Sequence, residues 1–297
     1  MSRRPLRQTI LGSGLGLLLL LALSTSALAQ ARVLPAEIKD SRTTGSFAGL
    51  EIELKVIGDA VADAKALRAI PAAATDDTGR NLLDGEDRGG AEEFRELSRS
   101  DRNAVTVTLK LRNPARQAMT LKEVSGVVEL FVPQRDPASV VVIADIKKTA
   151  GAPFAAPALA AAGLEITMWT KAQVDARKKA ERERLKARME KTRNDPSAIG
   201  ETMGRMVGEM FSFGGSEGSL SFQIKGPTKK IVGIEFLDAK GAVLSSGGRM
   251  TVGGGTEQTR TYDLGDKLAQ AARVRIYVAT EASLVRAPFT LVGVPLP

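Results

Sequence analysis

The sequence predicts a mainly β protein: two antiparallel β-sandwich domains separated by a helical segment. Three observations carry this. Strict apolar–polar alternation recurs on both sides of the chain, as in Leu50–Val56 and Val105–Leu111 and again in Leu220–Ile224, and a period of two is the mark of a half-buried strand. Gly, Pro, Asn and Asp punctuate these runs as turns. Between the two halves lies a stretch whose apolar residues follow the helical period instead. The expected boundaries are a signal peptide at 1–29, a first sandwich at 30–170, a helical segment at 171–213, a Gly-rich linker at 214–218 and a second sandwich at 219–297.

Taken in order, the chain opens with Arg3, Arg4 and Arg7, an apolar run from Ile10 to Leu23, and the small-x-small site Ala27-Leu28-Ala29. A basic end, a short apolar core and small residues at the cut describe a secretory signal peptide. The mature chain is then expected to be exported, periplasmic or extracellular. The 297 residues include no Cys and no His, so disulfides are excluded and stability must come from core packing.

In the first half, Leu50–Val56 and Val105–Leu111 read as clean strands, the latter stopped by Asn113-Pro114. Met119–Val132 reads as another strand with Gly126 as a bulge or bend, and Ser139–Ile146 and Gly163–Trp169 follow. The run Ala150–Gly163 reads as a loop or a short Ala-rich helix. Asp76, Asp77, Asn81, Asp84, Glu86 and Asp87 offer oxygens of the kind calcium takes. Their spacing matches no EF-hand loop, however, and Arg80 and Arg88 intrude, so a solvated hairpin tip is expected.

The segment from Lys171 to Arg193 holds ten cations against four anions, with Ala, Leu and Met between them and no Gly or Pro. These are good helix formers, and the apolar content is thin enough that most of the helix should face water. With the three signal-peptide arginines removed, the net charge falls from +8 to +5, so the basic character is local to this helix. Arg177, Lys178, Arg182, Arg184 and Lys186 are the candidate contacts to an anionic surface. Past Asn194-Asp195-Pro196, the residues Ile199, Met203, Met206, Val207, Met210 and Phe211 fall on one helical face. They form a candidate packing or partner face, with Gly200, Gly204 and Gly208 beside it.

In the second half, strands at Leu220–Ile224, Ile231–Phe236, Arg260–Leu264, Val274–Thr280 and Phe289–Val292 follow the linker. Asp238, Gly241 and Leu244 repeat the spacing of Asp76, Gly79 and Leu82, which points to two related units.

The D-x-x-G-x-x-L turns, the strand end Leu109-Lys110-Leu111-Arg112-Asn113-Pro114, and the terminal run from Pro288-Phe289 to Pro295-Leu296-Pro297 together resemble uncharacterised exported bacterial proteins with tandem immunoglobulin-like β-domains. The resemblance implies immunoglobulin-like sandwiches and supplies no active residues.

The missing His and Cys remove Ser-His-Asp and Cys-His nucleophiles and the usual zinc, copper and haem ligand sets. Carboxylates are plentiful but sit in no recognisable motif. Gly247-Gly248 and Gly253-Gly254-Gly255 lack the Lys-Ser/Thr of a phosphate loop. The expectation is therefore no catalysis, no cofactor, no metal and no nucleic acid. Two classes remain: an interaction or scaffold protein of the periplasm or cell envelope with an envelope protein partner, or a binder of lipopolysaccharide, phospholipid or acidic polymer acting through the basic helix.

Overall fold

A computed structural model describes residues 31–42, 48–83, 93–98, 104–191 and 216–297. The signal peptide, the residues Asp84, Glu86 and Asp87, the Ile199–Phe211 face and Gly214-Gly215 lie outside the described residues. The strands are β1 (Arg32–Ser41), β2 (Gly49–Ile57), β3 (Ala66–Asp76), β4 (Arg95–Glu96), β5 (Ala104–Leu111), β6 (Thr120–Phe131), β7 (Val140–Ala144) and β8 (Glu165–Thr170). They continue as β9 (Ser219–Lys225), β10 (Ile231–Leu237), β11 (Val243–Leu244), β12 (Gly248–Gly254), β13 (Glu257–Asp263), β14 (Arg273–Val278) and β15 (Leu284–Pro295). The helices are α1 (Asp59–Asp63), α2 (Ile146–Thr149), α3 (Pro157–Ala161) and α4 (Lys171–Lys191). The fold is mainly β, with antiparallel pairing throughout these sheets.

Alternation sets the layers. One sheet, β1-β2-β5, faces another, β15-β6-β3-β4. The inward residues Leu50, Ile52, Leu54 and Val56 of β2, Val107 and Leu109 of β5, Val128 and Leu130 of β6, and Phe289 of β15 close a single core between them. A second pair, β11-β10-β14-β7 and β12-β13-β9-β8, encloses its own core. There the rings of Phe222, Phe236 and Tyr262 lie 5.3–5.9 Å apart, tilted or edge to face, as ring quadrupoles prefer. Each fully buried Leu, Ile, Val or Phe in these cores contributes roughly 1.5–3 kcal/mol.

The sheets do not respect the expected boundaries. β7 and β8, expected in the first half, pair with β14 and β9; β15, expected to finish the second half, pairs with β6. The strand orders show why. β15-β6-β3 over β1-β2-β5 has the same plan as β7-β14-β10 over β8-β9-β13. β7 follows β6 in the chain but pairs with β14, and β15 follows β14 but pairs with β6. Two units of one plan have exchanged their closing strands. The two crossing connections bond to each other: the Val132 N–H donates to the Ser283 carbonyl at 2.8 Å, and the Thr280 hydroxyl donates to Asp136 Oδ2 at 2.6 Å.

The repeated D-x-x-G spacing folds the same way twice. The Gly79 N–H reaches the Asp76 carbonyl at 3.0 Å and the Gly241 N–H reaches the Asp238 carbonyl at 3.1 Å. Both glycines take positive φ, 85° and 89°, which costs a Cβ-bearing residue. Each aspartate then accepts from the residue four positions on, Arg80 at 2.9 Å and Ala242 at 2.8 Å. Asp76 does more. Its buried carboxylate also accepts from Thr78 N–H and Oγ1 and, through Oδ2, from the Ala115 N–H at 2.8 Å. Burial pushes its pKa up, but these hydrogen bonds outweigh burial and hold it below the usual carboxylate value. Asp77 Oδ2 likewise serves the Met119 and Thr120 N–H groups. The side-chain oxygens of Asp76 and Asp77 are thus occupied by protein donors.

Two local expectations need correction. The strand irregularity near Gly126 lies on β3, between Pro71 and Ala73. Gly126 is needed for close approach instead, since a Cβ there would collide with the Ile70 carbonyl and the Phe289 ring. The end of the Gly-rich linker is also fixed: Gly218 packs against the Gly265 backbone, its carbonyl accepts from Leu264 N–H at 3.0 Å, and Ser216 Oγ donates to Asp263 at 2.8 Å.

The sandwiches meet through a small third cluster of Ala66, Phe94, Phe131, Val232, Tyr277 and Ala279. Charged groups surround it. Lys65 reaches Glu235 at 2.5 Å, and Tyr277 donates to the same carboxylate at 2.8 Å. Arg68 clasps Glu129 at 2.7 and 2.8 Å, stacks on Phe94 at 4.2 Å, and donates to the Lys229 carbonyl at 3.0 Å. Arg260, 1% exposed, is held by Gln258 at 2.8 Å and lies 3.7 Å from Glu93.

Candidate functional site

Helix α4 starts without a break where β8 ends, and Thr170 makes that possible. The Thr170 hydroxyl accepts from the Gln173 N–H at 3.3 Å while Gln173 Oε1 accepts from the Thr170 N–H at 3.0 Å. This is a reciprocal capping box, which satisfies donors that a helix start otherwise leaves open. Thr170-x-x-Gln173 is the sequence signal for this start, whereas the charge run marks the helix only from Lys171. Gln173 also donates to the Ala150 carbonyl at 3.3 Å, tying the first turn to the loop before α3.

The next turn anchors the helix to its sheet. Val174 is 4% exposed. One turn later the Arg177 guanidinium stacks 4.1 Å above the Trp169 ring, a cation–π contact worth about 0.5–1 kcal/mol where solvent still reaches it. Lys171 pairs with Asp175 at 2.5 Å across one turn. Beyond this anchor Lys179, Ala180, Glu183 and Arg184 are exposed.

The five basic candidates therefore divide. Arg177 is exposed but belongs to the anchor, Lys178 is half-buried beside it, and Arg184 is exposed. The side chains of Arg182 and Lys186 lie outside the described set, as do Ile199, Met203, Met206, Val207, Met210 and Phe211.

The other charged assembly is the junction cluster. Burial would raise the Glu235 pKa, but hydrogen bonds from Lys65 and Tyr277 and the charges of Lys65 and Arg275 carry it below its ordinary value. Burial lowers Lys65, and the Glu235 bond outweighs this to leave it raised. Tyr277 is raised, by burial first. Groups driven deeper into their resting protonation states make a clamp, not an acid–base pair poised near neutrality. A cleft of about 550 Å³ lies at the far end of the second sandwich, between Asp145, Lys148, Asp238, Lys240 and Gln270. Asp145 stands there at φ 51° and faces Lys148 at 3.9 Å.

Among the described residues no group of three or more Asp or Glu is placed to hold a metal ion, and no helix is long and apolar enough to cross a membrane. Compared with protein-family models, curated proteins and solved structures, the chain matches none of them.

Proposed function

We propose that this chain is a non-catalytic, exported scaffold of the periplasm or cell envelope that presents helix α4 to a protein partner. The observation that carries the reading is the asymmetry of α4. Its first two turns are fixed by the capping box, Val174 and the Arg177–Trp169 stack, while Lys179, Ala180, Glu183 and Arg184 face solvent. Exchanged strands and an ionic junction supply a stiff body behind it. The recurrent aspartate turn and the shared strand plan support kinship with exported proteins of tandem immunoglobulin-like domains. Affinity capture from native envelope extract tests the proposal. A stoichiometric complex that survives moderate salt and is lost when Lys179, Glu183 and Arg184 become Ala is expected; capture unchanged by those substitutions would overturn it.

The cation density of α4 favours a second reading, adhesion to lipopolysaccharide, phospholipid or an acidic polymer. Lys and Arg near an anionic surface contribute roughly 1 kcal/mol each, and salt shortens their reach. Under this reading the chain cosediments with anionic vesicles at low salt and is released as salt rises, and Lys178, Arg182, Arg184 and Lys186 changed to Gln abolish it. Arg177 is left in place because it also holds the helix.

A further inference from the structure

Edge strands invite pairing, and most edges in this fold are closed to it. β1 carries Pro35 and a register shift beside it, and β15 carries Pro288 and Pro295. β4 and β11 have two residues each. The outer side of β8 is covered by its own neighbours, with Gly151 and Phe154 N–H groups donating to the Met168 and Ile166 carbonyls at 2.8 and 2.9 Å. Arg95 crosses β5 and donates to the Thr106 carbonyl at 2.8 Å.

Among the described residues β12 has none of these guards. It holds an unbroken register with β13 from Gly248 to Gly254, contains no Pro, and all but Val252 of its residues are exposed. Its regular part ends at Gly253, where φ turns to +91°. Met250, 39% exposed, stands at the middle of the remaining five residues.

We infer that β12 is a self-pairing edge: two copies of this chain join antiparallel about a two-fold axis through Met250, fusing their sheets. The sequence of the strand is complementary to itself in that register. Met250 meets Met250 of the second copy, Arg249 lies opposite Thr251, and Gly248 lies opposite Val252. No charge faces its own kind directly. The apolar residues share one face, and a Cβ built on Gly248 meets nothing within 4 Å, which leaves room for the valine. A closed two-fold contact of this kind uses the edge once and stops growth. The inference stands apart from the role proposed for α4.

Sedimentation velocity on the purified chain tests it. The wild type is expected at twice the chain mass in the micromolar range. Met250→Asp and Met250→Lys each set like charges directly opposite at the axis, a destabilising arrangement in a sheet, and each should sediment as monomer. An equal mixture of the two should recover the dimer mass. A wild type that stays monomeric, single variants that stay dimeric, or a mixture that fails to dimerise overturns the inference. Should a variant misfold by circular dichroism, hydrogen exchange on the wild type decides: those amides of Gly248–Val252 that point away from β13 must gain protection as concentration rises, and unchanged exchange counts against it.

Discussion

Lys65 and Glu235, 170 positions apart in the chain, meet at 2.5 Å across the junction of the two sandwiches. Neither is freely solvated, at 28% and 17% side-chain exposure. Breaking one partner of a buried pair costs more than the pair contributes, because the other charge stays behind in a poor dielectric. Glu235→Gln leaves Lys65 without its paired charge, facing the Tyr277 ring and a neutral amide oxygen, whereas Lys65→Met leaves Glu235 with Tyr277 and Arg275. The expected losses are about 2–3 kcal/mol for Glu235→Gln and about 1–2 kcal/mol for Lys65→Met. The double variant should fall short of their sum by about 1 kcal/mol. Urea denaturation of the four proteins measures all three; additive losses would show that the pair is not coupled.

The same cluster sets a pH window. Glu235 titrates below its ordinary 4.5, so its contribution is complete above that value and lost as pH falls through the folded-state pKa. Lys65 titrates above its ordinary 10.5, so its contribution is complete below 10.5 and lost as pH rises through the folded-state pKa. Asp76 adds to the acid limb in the same sense as Glu235. Denaturation midpoints against pH should therefore drop in acid below about 4.5, and Glu235→Gln should flatten part of that drop while leaving the neutral plateau lower. A variant whose acid limb retains the full wild-type slope would remove Glu235 from the account.

Strand exchange predicts the fate of a nicked chain. A cut at Gly214–Gly218 leaves β7 and β8 on the N-terminal piece, paired with β14 and β9, and β15 on the C-terminal piece, paired with β6. Gel filtration of nicked protein should show one species, which splits only in denaturant. Deleting 284–297 should be far worse than losing a loose end, since Val285, Phe289 and Leu291 leave the first core and the β6 edge opens. Such a chain should not show a cooperative transition. Release of a stable fragment 219–297 would contradict the exchange.

Much of this was legible in the chain. Period two in Leu50–Val56 and Leu220–Ile224 marked strands, and the Asp76 and Asp238 spacing marked the internal repeat. The pairing of β15 was not legible, because alternation reports which face a residue occupies and not which sheet receives the strand. Polar residues on the outer face carry that choice. Glu129 is buried on β6 with Arg68 and Arg286 to either side, the latter donating at 3.0 Å. β15 brings that arginine to its register, while β7 reads Val-Val-Val-Ile-Ala and has no cation to offer. The junction cluster was hidden for the same reason: Lys65, Glu235 and Tyr277 meet only once both sandwiches exist.

The anchor of α4 can be read through the single tryptophan. Trp169 lies under Arg177 and next to the capping box of Thr170 and Gln173. Arg177→Gln removes the stack but keeps a long polar side chain, and Gln173→Ala removes one arm of the box, each costing the helix start about 0.5–2 kcal/mol. Neither touches a sandwich core. Both variants should therefore shift Trp169 emission to the red and raise its quenching by acrylamide, with the main urea midpoint moved little. Gln173→Glu, which preserves the acceptor, should restore much of the wild-type spectrum, while Arg177→Lys should restore only part of it, because an ammonium cannot lie flat on the ring. Unchanged emission in Arg177→Gln would mean that the stack does not hold α4 to its sheet.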